Sequence, residues 1–400
     1  MVHNLVGFAK SDSRAGLGSL DPEMVEKVGE PIAIFPAFPT YMGCVQTHEV
    51  EDIFSPMAWI LRGQRGPAEV VPLLPAEVVY RAPHNDSVGS TWATHHREFG
   101  RFVAEHAVGE AIYEVGAAHG ILSLEAQKHR HFHWTMHDLA PTPVPEYSGT
   151  IVEGAFNRDS ARLHGECATL VHSHTLEHVH DPAEFMADIG ELLPIGGRQI
   201  FSWPNMDHML RAGELNFLNF EHTVFLPIRY VAELLTRFGF AIDAISHFRR
   251  HSIFIAATKI TASASPRVAL SRAVLTTEEH VAFDDYFREL TSKVERMNDA
   301  LQDSQRRAFV FGAHVFTQML IAAGLDTSRL SACLDNSRLK EGQRLYGTSL
   351  MVTRPEVPLA TRAGHASKGR PLVVMAPSSY GNEIAEQLMT LTRGNCEIVT

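Results

Sequence analysis

Cysteine is the scarcest reactive residue in this chain: Cys44, Cys167, Cys333 and Cys396 are all there is in 400 residues, with no Cys-x-x-Cys pair. Scattered in this way they make neither a disulfide framework nor a zinc ribbon, and reduced buried thiols are expected. Uninterrupted apolar runs of membrane-spanning length are also lacking, so no transmembrane helix is expected. The first residues, Met1 to Leu5, show no charged-then-apolar leader pattern. Basic charge is short as well: 35 Lys and Arg stand against 46 Asp and Glu, a net charge of −11. No basic patch with interleaved aromatics is present, which argues against nucleic-acid binding. The expectation is a cytoplasmic protein with no membrane or nucleic-acid partner.

What is plentiful is histidine, 23 residues, several of them gathered beside particular motifs. The length exceeds what one hydrophobic core usually organises, so more than one domain is expected. Gly and Pro punctuation (Gly16, Gly18, Pro22, Pro31, Pro36, Pro39) breaks residues 1–75 into short apolar runs, the mark of a small module of short strands and loops. Apolar positions recur at helical spacing over 91–106. Strands and helices then alternate as in a parallel sheet. Strands are expected at 111–115, 132–138, 168–173, 198–203 and 253–257. Helices are expected at 181–193, with Pro182 in the first turn, and at 227–238. The stretch 207–226 reads as a long polar loop, a candidate lid or acceptor site. A Ser/Ala-rich linker at 261–266 precedes a charged segment, 276–305, that reads as one solvated helix. Residues 307–314 repeat the strand–glycine–helix pattern, with further strands at 330–334, 371–376 and 396–400. The expected architecture is α/β: a small module over 1–75, a Rossmann-like domain over 76–260 and a second, smaller α/β domain over 261–400.

The chemistry centres on Glu114-Val115-Gly116-Ala117-Ala118-His119-Gly120, a glycine turn between an apolar run and a helix. Glycine there lets a ligand approach the backbone where a Cβ would collide. The two glycines sit four apart, unlike the dinucleotide pattern, which counts against an NAD-dependent oxidoreductase. Asp138 ends the next strand, about 20 residues past the turn, where an acid grips ribose hydroxyls; a carboxylate can accept from both hydroxyls of a diol. His172, His174, His178 and His180 crowd the end of the following strand. No cysteine or Asp-rich partner accompanies them, so no metal is expected, and an acid–base role is expected for His178. Glu221 and His222 form a second candidate, a base with an orienting neighbour or else an exposed ion-paired loop.

Together these segments resemble the sugar C-methyltransferases, class I S-adenosylmethionine (SAM) enzymes that methylate nucleotide-linked keto-deoxysugars. The resemblance rests on Ser90-Thr91-Trp92 with His95, on Glu114–Gly120, on 176–182 (Leu-Glu-His-Val-His-Asp-Pro), on Ser202-Trp203-Pro204-Asn205 and on Phe220-Glu221-His222-Thr223. It is most specific in the C-terminal third, at Phe311-Gly312-Ala313, Leu334-Asp335-Asn336-Ser337, Lys340-Glu341-Gly342 and Leu345-Tyr346-Gly347-Thr348. It implies SAM as cofactor, with Glu114, Gly116, Ala118, Gly120, Asp138, Phe156 and His174 around it and Glu114 toward the methionine end. It implies His222 as the base that makes an enolate, Glu221 as its neighbour and His178 as a residue lining the catalytic site, with His84, Asn85, His95 and Asn219 lining the acceptor site. The implied partner is a small-molecule acceptor, a nucleotide-sugar in the sharpest version, and a homodimer is a further expectation. Two departures stand out: the family's four-cysteine zinc module is absent, with Cys44 alone in its place, and Asn219 replaces a tyrosine two positions before the glutamate. Methyl transfer to nitrogen or oxygen of another small molecule, and a non-catalytic nucleotide-binding protein, are the alternatives.

Overall fold

Inward-facing apolar residues on two long strands open the fold. β1 (Glu30–Pro39) and β2 (Phe54–Leu61) pair antiparallel and bury Ala33, Phe35, Phe38, Met57 and Trp59. β3 (Ala68–Val71) pairs with β2, and the two residues His3–Asn4 pair with β1. The computed structural model describes residues 3–4, 30–61, 68–80, 89–162, 167–261, 277–302, 306–360 and 370–400. The expected linker beyond Thr261, and His84 and Asn85, lie outside the described residues.

α1 (Ser90–His106) buries Thr91, His95, Phe99, Phe102 and Val103 along one helical stripe. After it come β4 (Ala111–Val115), α2 (Ile121–Gln127), β5 (His133–Asp138), β6 (Thr150–Glu153) and β7 (Thr169–Ser173). The second half is α3 (Pro182–Leu192), β8 (Arg198–Pro204), α4 (Met206–Ala212), α5 (Ile228–Arg237), β9 (Phe240–Phe248) and β10 (Ser252–Lys259). Asp181 caps α3 through the backbone N–H groups of Ala183 and Glu184, with Pro182 at the first helical position. The seven strands form one sheet in the order β9-β10-β8-β7-β4-β5-β6, parallel except where β10 runs against β8 and β9. The order reverses between β4 and β7, and ligands of such sheets bind outside the carboxyl ends of the strands at that point. This is the class I methyltransferase arrangement.

A second α/β unit comes next: α6 (Thr277–Leu301), β11 (Ala308–Phe311), α7 (Val315–Ala322), β12 (Leu330–Leu334), β13 (Val352–Thr353), β14 (Leu372–Met375), α8 (Gly381–Thr392) and β15 (Glu397–Val399). Its sheet is wholly parallel in the order β13-β12-β11-β14-β15. Counted along the chain, both parallel cores run 3-2-1-4-5. The N-terminal sheet is fastened to this second unit. Residues Cys44–Val45 pair with Arg344–Leu345, and Arg344 makes two hydrogen bonds, 2.6 and 2.8 Å, to the buried carboxylate of Asp52.

Two expectations change. The stretch 207–226 is no polar lid: its first part is α4, and Leu215, Phe217, Leu218, Phe220, Phe225 and Leu226 are buried in the core. α6 is not merely solvated either, because Phe283, Tyr286, Phe287, Leu290, Val294, Met297 and Leu301 form a buried stripe under its charged face. In both cases apolar residues spaced among polar ones carry the packing.

Candidate active site

The glycine turn is closed by backbone bonds before any ligand enters. Gly116 N–H donates to the His137 carbonyl at 2.8 Å, and its left-handed φ of 72° is one that glycine adopts freely. A Cβ at Gly116 would lie 2.4 Å from Thr175 Oγ1, so the loop after β7 abuts the turn. At Gly120 the space a Cβ needs is taken by the Tyr147 ring. Asp138 accepts from Ala118 N–H at 2.8 Å through Oδ2 and from Ala140 N–H at 2.9 Å through Oδ1. Each oxygen keeps a further lone pair for a ribose hydroxyl. Leu139, next in the chain, is a large apolar side chain left 58% exposed at the strand end, a feature with no signal in the sequence. Phe156 sits just past β6, half-buried against Tyr113, His137 and Phe185. Turn, acid and exposed apolar surface at the switch point fit an adenosyl group.

Glu114 is placed otherwise than expected. Its buried carboxyl lies on the α1–α2 side of the sheet and accepts from the Trp134 indole at 2.8 Å. Burial pushes its pKa up to about 8, so at neutral pH it is largely an uncharged brace beneath the turn. His174 is likewise occupied: Nε2 meets Ser252 Oγ at 2.9 Å and Nδ1 lies 3.1 Å from Glu177 Oε1, leaving no ring nitrogen for a cofactor.

Beyond β7 the chain gathers Glu177, His178 and His222, one donor atom of each within 4.8 Å of the others, a spacing that a divalent cation can also bridge. The His178 and His222 rings stand with their centroids 4.9 Å apart. His222 Nδ1 faces the Phe217 carbonyl at 3.0 Å; a carbonyl only accepts, so the proton sits on Nδ1 and Nε2 carries the lone pair. Burial, then the neighbouring His178, lowers the His222 pKa to about 4, keeping the ring neutral. Glu177 is fully buried, and the histidines His174, His178 and His222 overcome that burial to hold it at about 2. A carboxylate beside a neutral imidazole stabilises the imidazolium once it takes up a proton.

Three residues take places that the sequence does not show. Asn219 does not line an acceptor site: 3% exposed, it accepts through Oδ1 from the N–H groups of Glu221 (2.8 Å) and His222 (2.9 Å), and donates to Asn216 O. It is the turn residue that presents the Glu–His pair. His95 is fully buried among Trp92, Phe99, Phe248 and Phe254, away from any surface. Tyr80, which sequence reasoning overlooked, places its hydroxyl 2.8 Å from His178 Nδ1. Tyr80 is 40% exposed overall, but desolvation around the hydroxyl, then the carboxylates of Glu221 and Glu177, push its pKa above the usual phenol value, so it stays protonated.

Residues 93–245 match a family described as a methyltransferase domain. Residues 93–245 are a methyltransferase domain. Similar solved structures include a putative SAM-dependent methyltransferase from Listeria monocytogenes, 13% identical, spanning 41% of this chain and 99% of that one at a TM-score of 0.33. Another is 1,6-didemethyltoxoflavin-N1-methyltransferase from Burkholderia thailandensis with bound 1,6-didemethyltoxoflavin and S-adenosylhomocysteine: 18% identity, 43% of this chain, 82% of that one, TM-score 0.34. Human N-acetylserotonin methyltransferase in complex with SAM is 16% identical over 47% of this chain and 61% of that one, TM-score 0.35. No protein of curated function matches the chain. No helix among the described residues is long and apolar enough to cross a membrane.

Proposed function

We propose that this methyltransferase acts on a small molecule and methylates the carbon next to a ketone of a nucleotide-linked deoxysugar. The observation that carries this reading is the tautomer of His222. Its Nδ1–H is tied to Phe217 O, and no described residue occupies Nε2, so a lone pair is available beside the buried Glu177 carboxylate. His222 removes the α-proton and Glu177 steadies the imidazolium. The hydrogen-bonded pair Tyr80–His178 offers a neutral donor to the enolate oxygen. When bound, SAM would supply the electrophilic methyl group; Asp138 would hold its ribose hydroxyls, and Leu139 and Phe156 would contact its adenine. Gly116, Ala118 and Gly120 keep the turn open, and Glu114 braces it from below. The second α/β unit, with Gly312 and Asp335 at its own switch point, is where the nucleotide handle of the acceptor binds.

Asn219 favours a second reading. With the phenol of the resembled family missing and the asparagine spent on its own turn, the site suits deprotonation of a nitrogen or oxygen acceptor as well. Transfer from methyl-labelled SAM to a panel of nucleotide keto-sugars, read by the carbon chemical shift of the product methyl, separates the two. A shift for methyl on carbon upholds the enolate chemistry; one for methyl on nitrogen or oxygen retains the enzyme and discards the carbanion.

A further inference from the structure

A chain of polar side chains runs from the second α/β unit to Glu177. It starts at the Tyr380 hydroxyl. That hydroxyl is 2.9 Å from His251 Nε2, His251 Nδ1 is 2.6 Å from Ser252 Oγ, and Ser252 Oγ is 2.9 Å from His174 Nε2. His174 Nδ1 closes the chain 3.1 Å from Glu177 Oε1. Glu177 and Ser252 are fully buried and His251 is 4% exposed. His174 is held at φ 51°, a left-handed backbone that is strained for a non-glycine residue and persists only where surroundings enforce it.

The Glu177 end of the chain has fixed polarity. An ionised carboxylate only accepts, so the His174 nitrogen facing it at 3.1 Å carries the proton. Each group before it therefore accepts from the Tyr380 side and donates toward His174. Tyr380 gives its proton to His251 Nε2, His251 gives Nδ1–H to Ser252, Ser252 gives its hydroxyl proton to His174 Nε2, and His174 turns its Nδ1–H toward the Glu177 carboxylate. The Trp92 ring packs edge-on against His174 and His251, both at 5.0 Å, shielding the links from water.

We propose that Tyr380, His251, Ser252 and His174 are positioning residues: a one-way hydrogen-bonded chain, anchored in the second α/β unit, that fixes the Glu177 carboxylate beside His222. The proposal rests on the acid–base reading of His222. It makes the second unit part of the catalytic machinery, since Tyr380 stands immediately before α8.

The chain dictates one tautomer, Nδ1–H, for both His174 and His251, against the Nε2–H form that a free histidine side chain prefers in water. Long-range proton–nitrogen NMR of the imidazoles in the 15N-labelled full-length protein reads this directly. The expected result is Nδ1–H on both rings. In Ser252→Ala, His251 reverts to Nε2–H while His174, still facing Glu177, keeps Nδ1–H; S-adenosylhomocysteine affinity, unchanged, shows that the fold survives. Nε2–H on either ring of the wild type, or an unaltered His251 in Ser252→Ala, overturns the proposal. Where turnover is measured, Ser252→Ala and Tyr380→Phe lower kcat by about 10–100-fold, the usual effect of losing a histidine's outer partner, with the KM for SAM unchanged. Correct tautomers without any methyl transfer would sink the functional reading and spare the chain. Wrong tautomers with His222-dependent transfer would do the reverse.

Discussion

The two α/β units share a construction and differ in chemistry. In the first, Gly116 N–H bonds His137 O and Asp138 receives Ala118 N–H and Ala140 N–H; in the second, Gly312 N–H bonds Leu334 O and Asp335 receives Ala313 N–H and Ser337 N–H. The matched distances are 2.8 Å for the glycine bonds, 2.8 Å to Oδ2 and 2.9 Å to Oδ1 in both units. The surroundings of the two aspartates diverge. Asp335 has Lys340 Nζ 3.5 Å away, a cation suited to a phosphate, whereas the first unit extends β7 into Glu177 and His178 and brings His222 over from beyond β8. The same strand order builds both crevices; the loops after the fourth and fifth strands bring Glu177, His178 and His222 together at the first, and no such group of described residues lies at the second.

The largest effect expected from breaking this asymmetry is at the base. His222→Ala should cut methyl transfer by about 10²–10⁴-fold while S-adenosylhomocysteine affinity, measured by calorimetry, stays the same. Next is the buried pair that fastens the N-terminal sheet to the second unit. Asp52→Ala leaves Arg344, 7% exposed, without its carboxylate, and should lower stability by about 3–5 kcal/mol in urea denaturation. Acid should strike the first unit harder. Burial lowers His172 and His251 to about 3 and His96 and His222 to about 4, all four in that unit. Their folded pKa values lie below the unfolded one near 6.5, so their stabilisation is complete above about pH 6.5 and is lost as pH falls toward 3–4, each group contributing up to about 1.4 kcal/mol per pH unit. Glu114, raised to about 8, acts oppositely and offsets part of one such group between about pH 4.5 and 8. Hydrogen exchange at pH 4.5 should show β4, β7 and β8 opening before β11 and β14. The smallest contrast is at the glycines. Gly116→Ala meets Thr175 Oγ1 at 2.4 Å, whereas at Gly312, φ 105°, the nearest atom is 3.7 Å away. Both carry backbone strain of about 1–2 kcal/mol, and only Gly116→Ala should also weaken S-adenosylhomocysteine binding.

Much of the fold was legible because its signals are local. The apolar runs before Gly116 and Gly312, the Pro182 start of α3 and the Asp138 strand end all fell where expected. β9 went unread because as an edge strand it leaves Asp243 and Ile242 exposed and carries a bulge between Ile242 and Ala244, so no continuous apolar run marks it. Within the site, the type of residue was legible and its direction was not. His174 and His178 lie four apart in one motif, yet one turns to Ser252 and the other to Tyr80. Tyr80 itself gave no signal, since a tyrosine after a short apolar run is ordinary until the fold carries it to His178. Asn219 was read by comparison with a missing tyrosine, although an asparagine at a buried turn also spells a backbone cap.

The central claim is that the first crevice, not its near-copy, holds SAM. Calorimetric titration of S-adenosylhomocysteine into the wild type, Asp138→Asn and Asp335→Asn tests it most directly. Losing the charged partner of a ribose diol should weaken binding of Asp138→Asn by about 10–100-fold, with Asp335→Asn indistinguishable from the wild type. Equal weakening by the two substitutions, or loss in Asp335→Asn alone, would contradict the account.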